Sequence, residues 1–249
     1  MRTKTTVIVK NQSTVLTDGA VRAALPAFQR QVSEDFADAW GIDATIELAP
    51  LTSTAPPHAY LLYLFDDADQ AGALGYHDLG QQGQPLGKVF AKSVETFGGL
   101  WTVAFSHELL EMLVDPAINL LAFDEEAGRA YAYDVCDAVE ADQLGYAVGG
   151  VSVSNFVHPS WFDPTSVASR KHDHCGQTTQ PFEMPPGGYI GFLELGGGGW
   201  RQIMARTRSD ARLMSVLAAP SPFDARPRVG SRRERRRTPR SHWLRSTRP

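Results

Sequence analysis

Cysteine is nearly absent from this chain. Cys136 and Cys175 are the only two in 249 residues, too few for a disulfide framework or a four-thiolate metal cluster. They read as reduced, structural thiols, with a single bridge or soft metal ligation as the alternatives. Long apolar runs are also missing, since nothing approaches the roughly 20 residues that span a bilayer. The N-terminal apolar run, Val7-Ile8-Val9, is too short for the core of a signal peptide. These absences predict a cytoplasmic protein with no membrane partner. There is no internal repeat. Gly196–Gly199 lacks the following Lys-Ser/Thr of a phosphate loop and reads as a flexible turn.

What remains is ordinary in bulk, with 43% hydrophobic and 21% charged residues, as in a globular domain. The charge is unevenly placed. Residues 226–249 hold ten arginines and one glutamate, whereas the first 225 residues carry 14 basic and 27 acidic side chains. From Pro220 onward the composition turns to Arg, Pro and Ser, which predicts disorder. The expected organisation is therefore a folded, acidic domain over 1–219 and a basic tail over 220–249. The tail is suited to non-specific contact with nucleic acid or acidic partners. No aromatic interleaving supports sequence-specific binding.

The spacing predicts strands at Thr5–Val9, Thr45–Leu48 and Tyr60–Phe65, and two shorter ones at Ala73–Tyr76 and Lys88–Lys92 around a loop at 80–87. Val21, Leu25, Phe28, Val32, Phe36 and Trp40 recur at helical spacing. They predict a long helix N-capped by Asp18 and stopped by Gly41, starting late or kinked at Pro26. A second helix, at about 99–114, is apolar almost all round. Further on, a hairpin turn at Phe123–Gly128 leads into Arg129–Val135. Strands are then expected at Tyr146–Asn155 and Tyr189–Leu195, and Trp200–Met204 and Ala211–Leu217 finish the fold. The fold class is α+β, a twisted mixed sheet packed on a long helix, with a buried helix that carries the chemistry.

That second helix contains His107-Glu108-Leu109-Leu110-Glu111. Residues four apart share a helix face, so His107 and Glu111 reach a common point. Glu108 lies about 100° round the axis, beside that point. A zinc-hydrolase helix uses this layout: two ligands one turn apart, and a carboxylate between them to take a proton from water. The usual second histidine is here Glu111. Burying His107, Glu108 and Glu111 in so apolar a helix costs several kcal/mol unless a cation or hydrogen bonds compensate. A third ligand must come from elsewhere. Asp134, Asp137 and Glu140, spaced by three, are the nearest source; Asp137 is the first choice, Asp134 the next, and Cys136 as thiolate a softer alternative. Against the metal reading stands a plain one, in which His107 and its carboxylates form a hydrogen-bond network bracing the core.

Other residues carry weaker signals. His172-Asp173-His174-Cys175 is a rival metal candidate without a second pair. His158 is a candidate to reach a substrate oxyanion, against the plain reading of a loop histidine beside an aromatic. His77 and Tyr76 read as surface or structural residues at a strand end. Ser106 is no nucleophile for His107, because neighbours on a helix point about 100° apart. Asp115-Pro116 reads as a helix stop.

The pattern Ser106-His107-Glu108-Leu109-x-Glu111, with Asp115-Pro116 beyond it and Val135-x-Asp137-x-x-Glu140 later, resembles a widespread group of bacterial and phage proteins. More distantly it is similar to the plant phosphate-induced, exordium-like proteins. Those carry a His-Glu-Leu-x-Glu helix and a later Glu-Ile-Ala-Asp-Leu-Cys-Glu segment. The resemblance covers roughly residues 99–165. His107, Glu108 and Glu111 fall on the helix positions, and Asp134, Asp137 and Glu140 on the later acids, Asp134 standing where the family has Glu. It implies a zincin-like, metal-binding fold.

Together these readings predict a zinc-dependent, peptidase-like hydrolase in which His107, Glu111 and Asp137 hold the ion and Glu108 is the base. Two carboxylate ligands would let Mn²⁺ or Ca²⁺ compete for the site. The alternative is a non-catalytic zincin-like binding module in which the same site is structural.

Overall fold

The computed structural model describes residues 4–70, 72–197 and 200–205. It is an α+β protein. Its first layer is a five-stranded sheet of β1 (Thr5–Asn11), β2 (Ala44–Leu48), β3 (Tyr60–Phe65), β4 (Gly75–Leu79) and β5 (Pro85–Phe90), in the order β2-β1-β3-β5-β4. All neighbours are parallel except β4, which runs antiparallel to β5 at one edge. Val7 and Val9 face the core shared with the helices, and Ile8 on the opposite face is buried as well, whereas β3 alternates buried and half-buried residues, so the second face is only partly covered.

The helical stretch after β1 is continuous from Asp18 to Trp40 but not uniform. It comprises α1 (Asp18–Arg30), a π-helical stretch at Gln31–Phe36 and α2 (Ala37–Trp40), ended by Gly41 in the left-handed conformation at φ 66°. Thr17, not Asp18, is the N-cap; its hydroxyl accepts from the Ala20 amide at 3.1 Å. Pro26 neither delays nor ends α1. The hydrogen-bond register instead widens at the π stretch five residues on.

A short α3 (Ala91–Thr96) follows β5 where the sequence suggested a strand to Lys92. Then comes α4 (Trp101–Val114). α1 meets α4 through Phe28 and Phe105, stacked with ring centroids 4.3 Å apart. α4 also lies against β4 and β5, beneath that edge of the sheet.

The second sheet is antiparallel, β11 (Trp200–Met204), β10 (Tyr189–Glu194), β7 (Arg129–Ala132) and β6 (Leu121–Asp124), in that order. The segment expected as one strand at Tyr146–Asn155 is a hairpin, β8 (Tyr146–Val148) and β9 (Val151–Val153). Its turn is Gly149-Gly150, both at positive φ, which suits the right-handed twist of paired strands. The predicted turn at 80–87 is tighter, with β4 running on to Leu79 and β5 starting at Pro85. Among the described residues no helix is long and apolar enough to cross a membrane. The closing segment expected at Ala211–Leu217 and the arginine-rich tail lie outside the described residues.

Candidate metal centre

The first half of the centre comes from α4. Its start is fixed by Asp142 Oδ2, which accepts from the Leu100 amide at 2.9 Å. From Phe105 to Val114 every residue is buried, as expected of a helix apolar on all sides. Its ionisable groups are therefore carried inside. His107 is 7% exposed, Glu108 6% and Glu111 1%. One helical turn brings His107 Nε2 to 3.4 Å from Glu111 Oε1.

The second half comes from the segment after β7, which passes through Asp134 to a 3-10 turn at Asp137–Val139. Gly188 lets this turn come close: a Cβ there would fall 2.0 Å from the Ala138 carbonyl oxygen. Asp137 Oδ1 lies 3.2 Å from His107 Nε2, and the Cys136 amide donates to Glu111 Oε1 at 3.2 Å. Ligand atoms of His107, Glu111 and Asp137 all fall within 4.8 Å of one another. Burial pushes the Cys136 thiol well above its ordinary range, so it stays protonated, and it belongs to neither ligand cluster of the described residues.

Asp134 turns to the other side of Glu111. It joins a second group with Glu111 and His77, again within 4.8 Å of one another. His77 sits on β4, 1% exposed, with Nδ1 at 3.3 Å from Glu111 Oε2 and 3.6 Å from Glu108 Oε2. Of the surface and structural readings of His77, its burial excludes the surface one. The strand expected at Ala73–Tyr76 stops one residue short of it, whereas β4 runs on to Leu79. In the true strand, His77 shares a face with Gly75 and Leu79. Glu108 also faces β4, where a Cβ on Gly75 would lie 2.7 Å from Glu108 Oε1. Its other oxygen, Oε2, is buried and has no hydrogen-bond partner.

The charges explain what the geometry alone does not. Burial works against protonation of His107, but the charge of Glu111 and hydrogen bonds donated to Asp137 and Glu111 outweigh it, and its pKa rises well above the usual value. Burial pushes the half-buried Glu140 up to about 7; His107 opposes that shift, and the carboxylates of Glu111 and Glu108 add to it. Glu140 thus borders the cluster without joining either ligand group. Tyr189, at the start of β10, was not foreseen. Its phenol is hydrogen-bonded to Asp137, and burial first, then the charges of Asp137, Glu140 and Glu111, holds it well above its ordinary pKa. No signal in the sequence ties that tyrosine to the helix.

The other candidates fall elsewhere. His158 lines a cavity of about 500 Å³ with Asp35, Asp38, Lys171 and His174, and none of the residues above lines it. Burial and the charge of Lys171 lower His158 to about 4, so it is neutral and apart from the cluster. In the rival His172–Cys175 segment, Asp173 accepts from the Asn155 amide group at 2.8 Å and from the Thr178 amide and hydroxyl at 2.6 and 2.7 Å. That segment is a loop tied by hydrogen bonds and holds no ligand cluster among the described residues. Ser106 Oγ accepts from the Ser154 amide at 2.6 Å and latches α4 to the segment after β9. Asp115 accepts from the Asn119 and Leu120 amides, both at 3.0 Å, so it closes the turn after α4.

No protein-family model, no curated protein and no solved structure matches this chain.

Proposed function

We propose that the protein is a divalent-cation-dependent hydrolase of the peptidase type, with a zincin-like arrangement of sheet and helix. The observation that carries this reading is the convergence of His107, Glu111 and Asp137 from two separate segments into one buried cluster. The spacings of 3.2 and 3.4 Å match the ligand-to-ligand edge of a tetrahedron around an ion with bonds of about 2.0–2.1 Å, which is about 3.3–3.4 Å. The sheet with a helix beneath its edge supports the zincin likeness.

The donor set fits a cation chemically. One imidazole and two carboxylates suit Zn²⁺, and the oxygen-rich balance also suits Mn²⁺ or Ca²⁺. The buried, unpartnered Oε2 of Glu108 fits as well, because such an atom costs free energy unless a donor reaches it. A divalent ion held here would lower the pKa of water and polarise a substrate carbonyl. The work of the chain's own residues is then plain. His107, Glu111 and Asp137 fix position and charge. Tyr189 orients Asp137 by its hydrogen bond, as partners of metal ligands do. Glu108 accepts a proton at Oε2 and returns it to the leaving amine.

The deep burial of the cluster favours a second reading, in which the same groups brace a non-catalytic binding module. Glu108→Gln separates the two. For a hydrolase this variant keeps its fold and metal content and loses turnover of a peptide library. If wild type cleaves nothing in that library and chelation lowers only its melting temperature, the binding module stands instead.

A further inference from the structure

We infer that the centre holds two cations bridged by Glu111, the second one bound by His77, Glu111 and Asp134. This rests on the proposed function for its first ion. Glu111 presents its two oxygens in different directions. Oε1 faces His107 at 3.4 Å, and Oε2 faces His77 at 3.3 Å. Each oxygen thus belongs to its own histidine, and each side has its own aspartate, Asp137 with His107 and Asp134 with His77. One carboxylate shared by two such ligand sets is how paired-metal sites are built, with the ions about 3.5–4 Å apart.

Two independent observations point the same way. The first is Glu108. Its Oε2 is buried without a hydrogen-bond partner and lies 3.6 Å from His77 Nδ1, beside the second position. Water held between the two positions would give that oxygen its missing donor, so Glu108 serves the pair as an acceptor and not as a ligand. The second is the donor set. Four buried acids, Glu108, Glu111, Asp134 and Asp137, share the interior with two buried imidazoles, His77 and His107. That is more ligand atoms than one tetrahedral ion uses, and they divide into two sets that have Glu111 in common. His77 enters from β4 and Asp134 from the loop after β7, so the second set closes the space between the sheet edge and α4.

The test is a titration of the chelated full-length chain with Mn²⁺ alone, read by elemental analysis and electron paramagnetic resonance. The expected result is two ions per chain with an exchange-coupled signal. His77→Gln should leave one uncoupled ion, and Asp134→Asn serves as the independent variant, with circular dichroism confirming the fold of each. One ion in wild type that survives His77→Gln and disappears in His107→Ala overturns the pair while leaving the first centre intact. One ion that disappears in His77→Gln but survives His107→Ala overturns the pair and the first centre together. No ion in wild type overturns both.

Discussion

His77 Nδ1 stands 3.3 Å from Glu111 Oε2, joining the edge strand β4 to the last turn of α4 where both side chains are almost fully buried. Glu111 is therefore the hub of the cluster, not simply the second residue of a helical pair. It meets a histidine at each oxygen and accepts the Cys136 amide besides. Glu111→Ala should destabilise the chelated protein by about 3–5 kcal/mol, the usual effect of removing one partner from a buried ionic contact. Glu111→Gln, which keeps an acceptor for the Cys136 amide, should cost less. Urea denaturation in chelator checks this, and unmoved midpoints in both variants would show that the contacts do not hold the core.

The metal-free protein should lose stability as pH rises. Glu140 has a folded pKa of about 7 against 4.5 unfolded, so it is ionised more easily in the unfolded chain. Its contribution falls between pH 4.5 and 7, by an upper bound of about 3 kcal/mol, and stays lost above that. His107 is raised instead by its acidic neighbours, so its stabilisation is complete below pH 6.5 and is lost as pH climbs through its higher folded value. Glu140→Gln should flatten the lower limb of the curve. With cation present the slope should reverse, because ligands bind when deprotonated. Denaturation midpoints from pH 4.5 to 9, with and without chelator, decide both points.

Gly75 leaves room for Glu108. A Cβ at that position would meet Glu108 Oε1 at 2.7 Å and Cγ at 2.8 Å, with the Lys88 carbonyl oxygen at 3.0 Å behind. Gly75→Ala should therefore shift Glu108, cost about 1–3 kcal/mol, and lower turnover without lowering metal content. Elemental analysis beside peptide-hydrolysis rates reads the difference. Full activity in this variant would contradict the role given to Glu108.

Ser106→Ala should behave as a purely structural change. It removes the acceptor for the buried Ser154 amide and should cost about 1–3 kcal/mol. Metal content should not move. Loss of cation in a variant that still folds would mean that the latch to the chain after β9 shapes the centre more than its contacts indicate.

The sequence made α4 legible, because a nearly uniform apolar helix with His107, Glu108 and Glu111 in it has few places to put those groups. It also made β1, β3 and the helical run to Gly41 legible through their periodicity. It did not disclose His77, Tyr189 or the π stretch. His77 depends on where β4 ends, and carrying the strand on from Tyr76 to Leu79 moves it from loop to core-facing strand. Tyr189 depends on how β10 passes the turn at Asp137–Val139, a contact between distant segments that no local pattern encodes. Asp134 and Asp137 were both visible as acids at the right distance in sequence. Their division between the two sides of Glu111 follows from tertiary structure alone.

X-ray absorption at the metal edge, on wild-type protein purified without chelator, probes the proposed centre itself. The expected result is a bound cation with nitrogen and oxygen neighbours at about 2.0–2.2 Å, an imidazole contribution, and no sulfur at about 2.3 Å. A preparation with no metal, or a shell containing sulfur from Cys136, would contradict it.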